Sequence, residues 1–352
     1  MSVLIPSPCR PAGARRLLAA LGRLTALALL LATPAAATEL TLSSWLPEDH
    51  PVVTGALLPW TAKVAEATEG RVTVRLLPAP TGSEPRHFEM LLDGGADIAY
   101  GLHSFSQGDR FERARIGQFS GIGEDAAAAS RAFWEIYTGP LEAEKEHEGV
   151  ELLGLFVHGP GLLHLRRAPV EAVEDLEGLR IRVPGGYIAD LLGEMGVITL
   201  FMPTGKVDET MERGVLDGVT LPLEAITAFQ LDDDIHYVLT YPGGLYNTTW
   251  FLAMNAERWN QLTPEDRAAI EGVSGPAFAE LVGKAWNRAD AAARTKLLEA
   301  GIEIRPLPQE VQEAIAARGA RMEEAWIRSL AQGGYDGKAA LEELRRRSGT
   351  AQ

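Results

Sequence analysis

Beyond residue 37 the chain alternates short strand-like runs with helix-period runs, and that alternation restricts it to α/β architectures built on largely parallel sheets. Leu40 and Leu42 alternate with polar neighbours in Glu39–Trp45, the signature of a strand. Residues 51–69 place Trp60, Val64 and Ala67 at helical spacing, with Gly70 as a stop. Val72–Leu77 reads as a second strand, 78–82 as a turn, 85–94 as a helix and 96–100 as a short buried strand. A helix at 126–147 and a strand at 150–157 complete the first half.

A break at His158-Gly-Pro-Gly161 separates a second set of α/β signals. Strands are expected at 179–183, near 198–201, at 218–221 and at 237–240, with helices at 186–195, 205–213 and 223–230. The apolar strand Trp250–Met254 and long helices at 264–300 and 309–330 follow, and the tail after Gly333 reads as polar and charged. Two α/β lobes joined by a few strand crossings enclose a cleft, and ligands prefer such crevices at the carboxyl ends of parallel strands. Chemistry is therefore expected around Trp45, His103, His158, Arg182 and Leu221.

The first 37 residues read as a cleaved targeting segment. Arg10, Arg15, Arg16 and Arg23 precede a nine-residue apolar run at 24–32, too short to span a bilayer as a helix. The small residues Ala35-Ala36-Ala37 place cleavage after Ala37. The pair Arg15-Arg16 matches a twin-arginine signal, although the residues around it do not. Cys9 is the single cysteine and precedes the apolar run, so no lipobox, disulfide or thiol site is expected after cleavage. The segment carries four arginines and no acid, leaving 29 basic against 48 acidic residues in the remainder. Such an acidic chain argues against nucleic acid as a partner, and any anion site must bring its own local positive charge.

Motifs for catalysis or metal binding are missing from the sequence. The seven histidines form no i,i+4 pair on an expected helix, and no HExxH, EF-hand, P-loop or GxSxG pattern occurs. Asp232-Asp233-Asp234 reads as a solvated helix end rather than a metal site. No metal and no cofactor is expected.

The stretch Val173-Glu-Asp-Leu-Glu-Gly-Leu-Arg-Ile-Arg-Val-Pro184 resembles the substrate-binding proteins of tripartite ATP-independent periplasmic (TRAP) transporters, the DctP-like family. The similarity continues through 67–74, Leu92–Ile98, Gly214–Gly218 with Pro222, Met254-Asn255 and Leu262–Glu265. It implies a two-lobe periplasmic-binding-protein-like fold with central sheets flanked by helices and a long helix straddling both lobes. The expected boundaries are 1–37 for the signal peptide, 38–158 with 247–286 for lobe I, 159–246 with 287–310 for lobe II, and 311–352 for C-terminal helices. It also implies an extracytoplasmic, periplasmic protein that captures a small organic acid by lobe closure and passes it to membrane subunits of the transporter. In the family the arginine of the Arg-[VT]-Pro step grips the ligand carboxylate, and Arg182 holds that position. A guanidinium fork matches a carboxylate bidentately, and strand alternation puts Arg180 and Arg182 on one face.

The chain departs from the sialic-acid-type members of the family, with Gly161 in place of a second arginine, Leu221 in place of an asparagine, and Leu102 or His103 at a polar position. Those changes remove charge and hydrogen-bonding capacity, and point to a small monocarboxylate with an apolar body. Trp45 is expected either to cover that body or to serve as core. His103 and His158 are expected either to hydrogen-bond a ligand oxygen or to be structural. Thr204, Leu221 and Tyr246 complete the expected ligand-binding set. An extracytoplasmic enzyme, a lyase or hydrolase using His158 with an acid such as Glu224, is the rival reading. Delivery to a sensor is a third.

Overall fold

Strand runs that are apolar on both faces must be covered on both sides, and here helices do the covering. The computed structural model describes residues 37–78, 84–106, 108 and 110–350, with Met1, Val3 and Leu4. The targeting segment expected at 1–37, with Cys9, lies almost wholly outside the described residues. The chain separates into Met1–Thr38 and Glu39–Gln352, and the packed cores belong to the second unit.

In chain order the first elements are β1 (Thr38–Ser43), α1 (Leu58–Ala67), β2 (Val72–Leu76), α2 (His87–Leu92), β3 (Ile98–Leu102), α3 (Ala126–Thr138) and β4 (Val150–Val157). After β5 (Leu162–Leu165) come β6 (Arg180–Val183), α4 (Tyr187–Glu194), β7 (Ile198–Phe201), α5 (Val207–Glu212), β8 (Gly218–Leu221), α6 (Leu223–Ala228) and β9 (Tyr237–Thr240). The chain then runs through β10 (Thr249–Asn255), α7 (Ala256–Asn260), α8 (Pro264–Gly272), α9 (Pro276–Glu299), β11 (Glu303–Pro306), α10 (Gln309–Gln332) and α11 (Gly337–Ser348).

The strands form two sheets, ordered β2-β1-β3-β10-β4 and β11-β9-β5-β8-β6-β7. In the first, β1 and β3 are parallel, with Leu42 opposite Ile98, while β10 runs antiparallel to both β3 and β4. In the second, β6 lies parallel between β7 and β8, which places Arg182 between Leu200 and Val219. The two-lobe α/β class expected from the sequence is thus the observed one.

Two strand crossings join the sheets, β4 to β5 and β9 to β10. They are clipped together where the Gly161 N–H donates to the Tyr246 carbonyl and the Leu245 N–H donates to the Gly161 carbonyl, both at 2.9 Å. Helix α9 straddles both lobes. Its Phe278, Val282, Ala285 and Trp286 pack with the first sheet, whereas Ala293 and Leu297 pack with the second.

The cleft is closed. The Ser104 hydroxyl donates to the Pro184 carbonyl at 3.0 Å, the Tyr187 N–H donates to Gln118 Oε1 at 3.1 Å, and Arg115 pairs with Asp190. Phe105 meets Phe201 edge to face at 5.4 Å.

Several expected boundaries shift for local reasons. The helix expected at 126–147 ends at Thr138, because Gly139-Pro140 cannot continue it. The helix expected at 264–300 is two, because Gly275 adopts φ +56° and Pro276 starts a new helix at its first turn. The polar tail contains α11, capped by the Asp336 side chain, and its Leu341 and Leu344 are buried in the core. Strands β5 and β11 were not expected from the sequence; each is four residues long. Among the described residues no helix is long and apolar enough to cross a membrane.

The break at Gly275 supplies a test. A Cβ there would lie 3.0 Å from the Trp134 indole, and φ +56° strains any branched residue. Gly275→Val should destabilise the protein by about 1–3 kcal/mol in denaturant unfolding. An unchanged midpoint would contradict this account of the helix break.

Candidate functional site

Strand β6 carries Arg182 into the interior with 1% of its surface exposed. Its Nε donates to the Met202 carbonyl at 3.0 Å, Nη1 to the Thr220 carbonyl at 3.3 Å and Nη2 to Thr204 Oγ1 at 3.1 Å. A guanidinium has five N–H donors, so one on each of Nη1 and Nη2 has no protein acceptor among the described residues. No carboxylate among them lies within ion-pair distance of it either. Burial accordingly lowers the pKa of Arg182, with Glu84 opposing. A buried cation held by neutral acceptors and lacking a partner anion is costly, and an incoming carboxylate relieves it.

Its neighbours align the fork. Thr204 Oγ1, which accepts from Arg182, donates to Glu84 Oε1 at 3.3 Å, and the Thr204 N–H donates to Glu84 Oε2 at 3.0 Å. Glu84 follows the first lobe's β2, so this chain of bonds crosses the closed cleft. Burial raises the Glu84 carboxyl to about 7, against the pull of Arg182 and the two Thr204 bonds.

The closed cleft keeps a small cavity between the sheets, lined by Arg182, Thr204, Glu84, Trp45, Trp250 and Tyr246 among others. Its free volume is about 40 Å³, on the order of three waters. One wall is aromatic. Trp45 stacks on Trp250 at 5.4 Å and 12°, and Trp250 stacks on Phe156 at 5.7 Å and 17°. Trp286 of α9 lies 5.6 Å from Trp250. Such flat, stacked faces suit a planar apolar body. Leu102, Leu221 and Phe229 add aliphatic and aromatic surface.

The remaining cavity polar groups include His158, His50 and Glu224. His158 Nε2 accepts the Thr248 N–H at 3.0 Å, and Nδ1 bonds the Gly159 carbonyl. Both ring nitrogens are therefore occupied by backbone, and burial lowers the ring's pKa to about 4, leaving it neutral. Glu224 Oε1 accepts from Trp286 Nε1 at 2.8 Å. Burial, with the nearby Asp290 carboxyl, raises Glu224 to about 8.

Six of the seven expected ligand residues line this cavity: Trp45, His158, Arg182, Thr204, Leu221 and Tyr246. The expectation for His103 is corrected. Its Nε2 lies 3.1 Å from His147 Nε2, inside a ring cluster that includes Phe111 at 4.8 Å and Phe251 at 5.6 Å. At the end of β3 it is Leu102 that faces the cavity, because alternation sends the next side chain to the other side of the sheet.

Gly161 also has a physical explanation. A Cβ there would come within 2.3 Å of the Tyr246 ring. The tyrosine occupies the space that a longer residue at 161 would need. Sequence reasoning missed Glu84, His50, Trp250 and Trp286, which lie in four separate segments and converge only through folding. The acidic run expected as a solvated helix end is partly ion-paired instead, with Asp234 bound to Arg166 at 2.8 Å and Asp232 to Lys296 at 3.4 Å.

A two-lobed α/β protein that shuts a cleft over a buried, unpaired arginine has the construction of a solute-binding protein. The chain belongs to the bacterial extracellular solute-binding protein family 7, whose family model matches residues 42–329. It is similar to a TRAP periplasmic solute-binding protein from Bordetella bronchiseptica solved with bound (R)- and (S)-mandelate. The two are 37% identical, covering 90% of this chain and 100% of that one, with a TM-score of 0.86. It is similar also to a TRAP solute-binding protein from Rhodoferax ferrireducens T118 in complex with copurified benzoate, at 27% identity over 89% of this chain and 98% of that one, with a TM-score of 0.80. A marine metagenome TRAP solute-binding protein from an unidentified microbe, specific for aromatic acids and solved with metahydroxyphenylacetate, is 26% identical over 90% of this chain and 99% of that one, with a TM-score of 0.81.

Glu84 gives the site a pH dependence. Its charged form repels a ligand carboxylate sharing the cleft and its neutral form does not, so affinity should fall as pH rises past about 7. Glu84→Gln should bind a carboxylate ligand about as well as wild type at pH ~6 and roughly tenfold more tightly at pH ~8.5. Identical pH profiles for the two proteins in calorimetric titrations would show that Glu84 does not sense the ligand.

Proposed function

We propose that the protein captures a small aromatic monocarboxylate and presents it, with the cleft closed, to the membrane subunits of a TRAP transporter. The observation that carries the ligand class is the pairing of one buried guanidinium, with two free donors and no counter-ion among the described residues, with a stacked indole wall. Arg182 takes the carboxylate through Nη1 and Nη2, and the ring lies against the wall that Trp45 and Trp250 form. Mandelate and benzoate, bound by the relatives, combine one carboxylate with one ring in the same way.

Contacts to both lobes exist only in the closed state, so ligand binding shifts the hinge equilibrium toward it. Closure involves the first lobe through Glu84 and Trp45, and the second through Arg182 and Thr204. A periplasmic location after removal of residues 1–37 fits this role, with lobe I taken as 38–158 plus 247–286 and lobe II as 159–246 plus 287–310.

The rival enzyme reading loses its base. Nε2 of His158 accepts a backbone N–H and Nδ1 is engaged by a carbonyl, leaving neither nitrogen to take a substrate proton. We read the protein as a binding protein without catalysis.

The test is a titration of the protein, cleaved after residue 37, with a panel of small acids, followed by tryptophan fluorescence and by recovery of the ligand. Three of the seven tryptophans, Trp45, Trp250 and Trp286, line the cavity, so binding should change the emission. An aromatic monocarboxylate should bind saturably and return chemically unaltered. Arg182→Ala should weaken it by roughly 2–5 kcal/mol, the range for removing one partner of a buried charge pair. Succinate should bind poorly, since a second carboxylate would face the aromatic wall without a cation. Tight succinate binding, or equal affinity in Arg182→Ala, would overturn the assignment, and a chemically changed ligand would restore the enzyme reading.

A further inference from the structure

The cavity holds a second polar feature that grip on a carboxylate does not use. His50, between β1 and α1, and Glu224, on α6, reach it from opposite lobes, and both are buried. His50 Nε2 lies 3.5 Å from Glu224 Oε2. That atom of Glu224 has no hydrogen-bond partner among the described residues. An unpaired oxygen buried at a cavity wall is costly unless something occupies the cavity to meet it.

The proton positions follow from the surrounding bonds. The Val52 N–H donates to His50 Nδ1 at 3.2 Å, which leaves the ring's hydrogen on Nε2, the ring atom nearer Glu224. Burial keeps that ring neutral, with its pKa lowered to about 4. The Trp286 indole donates to Glu224 Oε1 at 2.8 Å, marking that atom as the acceptor of the carboxyl group. A proton on this acid therefore sits on Oε2. The acid is kept protonated by its burial and by Asp290, whose Oδ1 accepts the Glu224 N–H at 2.9 Å. Asp49 is the other charged group acting on His50. One N–H donor and one O–H donor thus meet across the cleft with no acceptor bonded to either among the described residues.

We propose that the His50–Glu224 pair is an oxygen anchor, which selects ring acids carrying a hydroxyl or oxo group away from the carboxylate. The ligand oxygen accepts from His50 Nε2–H and Glu224 Oε2–H together, so it bonds to both lobes and adds to the preference for closure. Arg182 reads the acid, the indole wall reads the ring and this pair reads the substituent. A second carboxylate is a poor occupant, because Asp290 and the absence of a cation there disfavour negative charge. The inference rests on the aromatic monocarboxylate reading given above.

The test measures one ratio, the dissociation constant of benzoate over that of each monohydroxybenzoate, by calorimetry on the wild-type protein cleaved after residue 37. At least one hydroxy isomer should bind about tenfold or more tightly than benzoate. In Glu224→Met, which matches the side-chain length without a donor, that ratio should fall to about one. Glu224→Gln keeps an acceptor for Trp286 and a donor toward the cavity, and should retain most of the preference. Its ratio also checks the assignment should the methionine variant fail to fold. Benzoate binding as tightly as every hydroxy isomer in wild type would overturn the oxygen anchor while leaving the aromatic-acid reading intact, as would a ratio unchanged in Glu224→Met. If wild type bound no member of the panel, the aromatic-acid reading would fall first and the anchor with it.

Discussion

The guanidinium of Arg182 is removed from water without receiving a counter-ion, and much of the site can be understood as the means of holding it there. Two backbone carbonyls and one hydroxyl occupy three of its donors and aim the fork. Those acceptors come from the loop after β7, from β8 and from the segment leading to α5, so β6 must be paired with both of its neighbours for the arginine to be held. Parallel pairing of β6 with both neighbours fixes the register that turns Arg182 inward. Arg180, on the same face, stays half-buried, with Nη2 donating to Asp217 at 2.8 Å. The two arginines show how little residue type decides: the one with an acid beside it is structural, and the one without is available.

The lobes are connected so that this charge can be covered and uncovered. The paired crossings at Gly161 and Tyr246 form a narrow hinge, and α9 runs across both lobes with Trp286 at the cavity. Closure brings Thr204 against Glu84 and His50 against Glu224, so each lobe contributes polar groups that the other completes. Because Glu224 and the histidines His50 and His158 are largely neutral in this setting, and burial raises Glu84 to about 7, Arg182 dominates the cavity's charge on an otherwise acidic protein until Glu84 ionises. That resolves the tension between a net charge of −15 and an anion as ligand.

Much of this was legible beforehand where the signal is local. Strand and helix alternation gave the two-lobe class, and the Arg-Ile-Arg-Val-Pro run singled out Arg182. Trp45 and Leu221 follow from predicted strand ends, Thr204 from the family resemblance and Tyr246 from its place at the return crossing. What escaped was what depends on distant parts meeting. Leu102 and His103 are adjacent, and only the strand's register decides which one faces the cleft. Glu84 sits in a stretch without periodicity, and its role appears only once Thr204 is brought against it. Strand β5, three leucines and His164 beside a Gly-Pro-Gly break, is too short for a period to be read. The long helix looked continuous because alanine-rich flanks hide a break that depends on Gly275 and Pro276.

The central claim is that a ligand carboxylate supplies the missing partner of Arg182. A crystal structure of the protein grown with benzoate tests it most directly. The account predicts both carboxylate oxygens within about 2.7–3.0 Å of Nη1 and Nη2, the ring against Trp45 and Trp250, and the three bonds to Met202, Thr220 and Thr204 retained. A carboxylate bound elsewhere in the cleft, with Arg182 left unpaired or turned to Glu84, would contradict it.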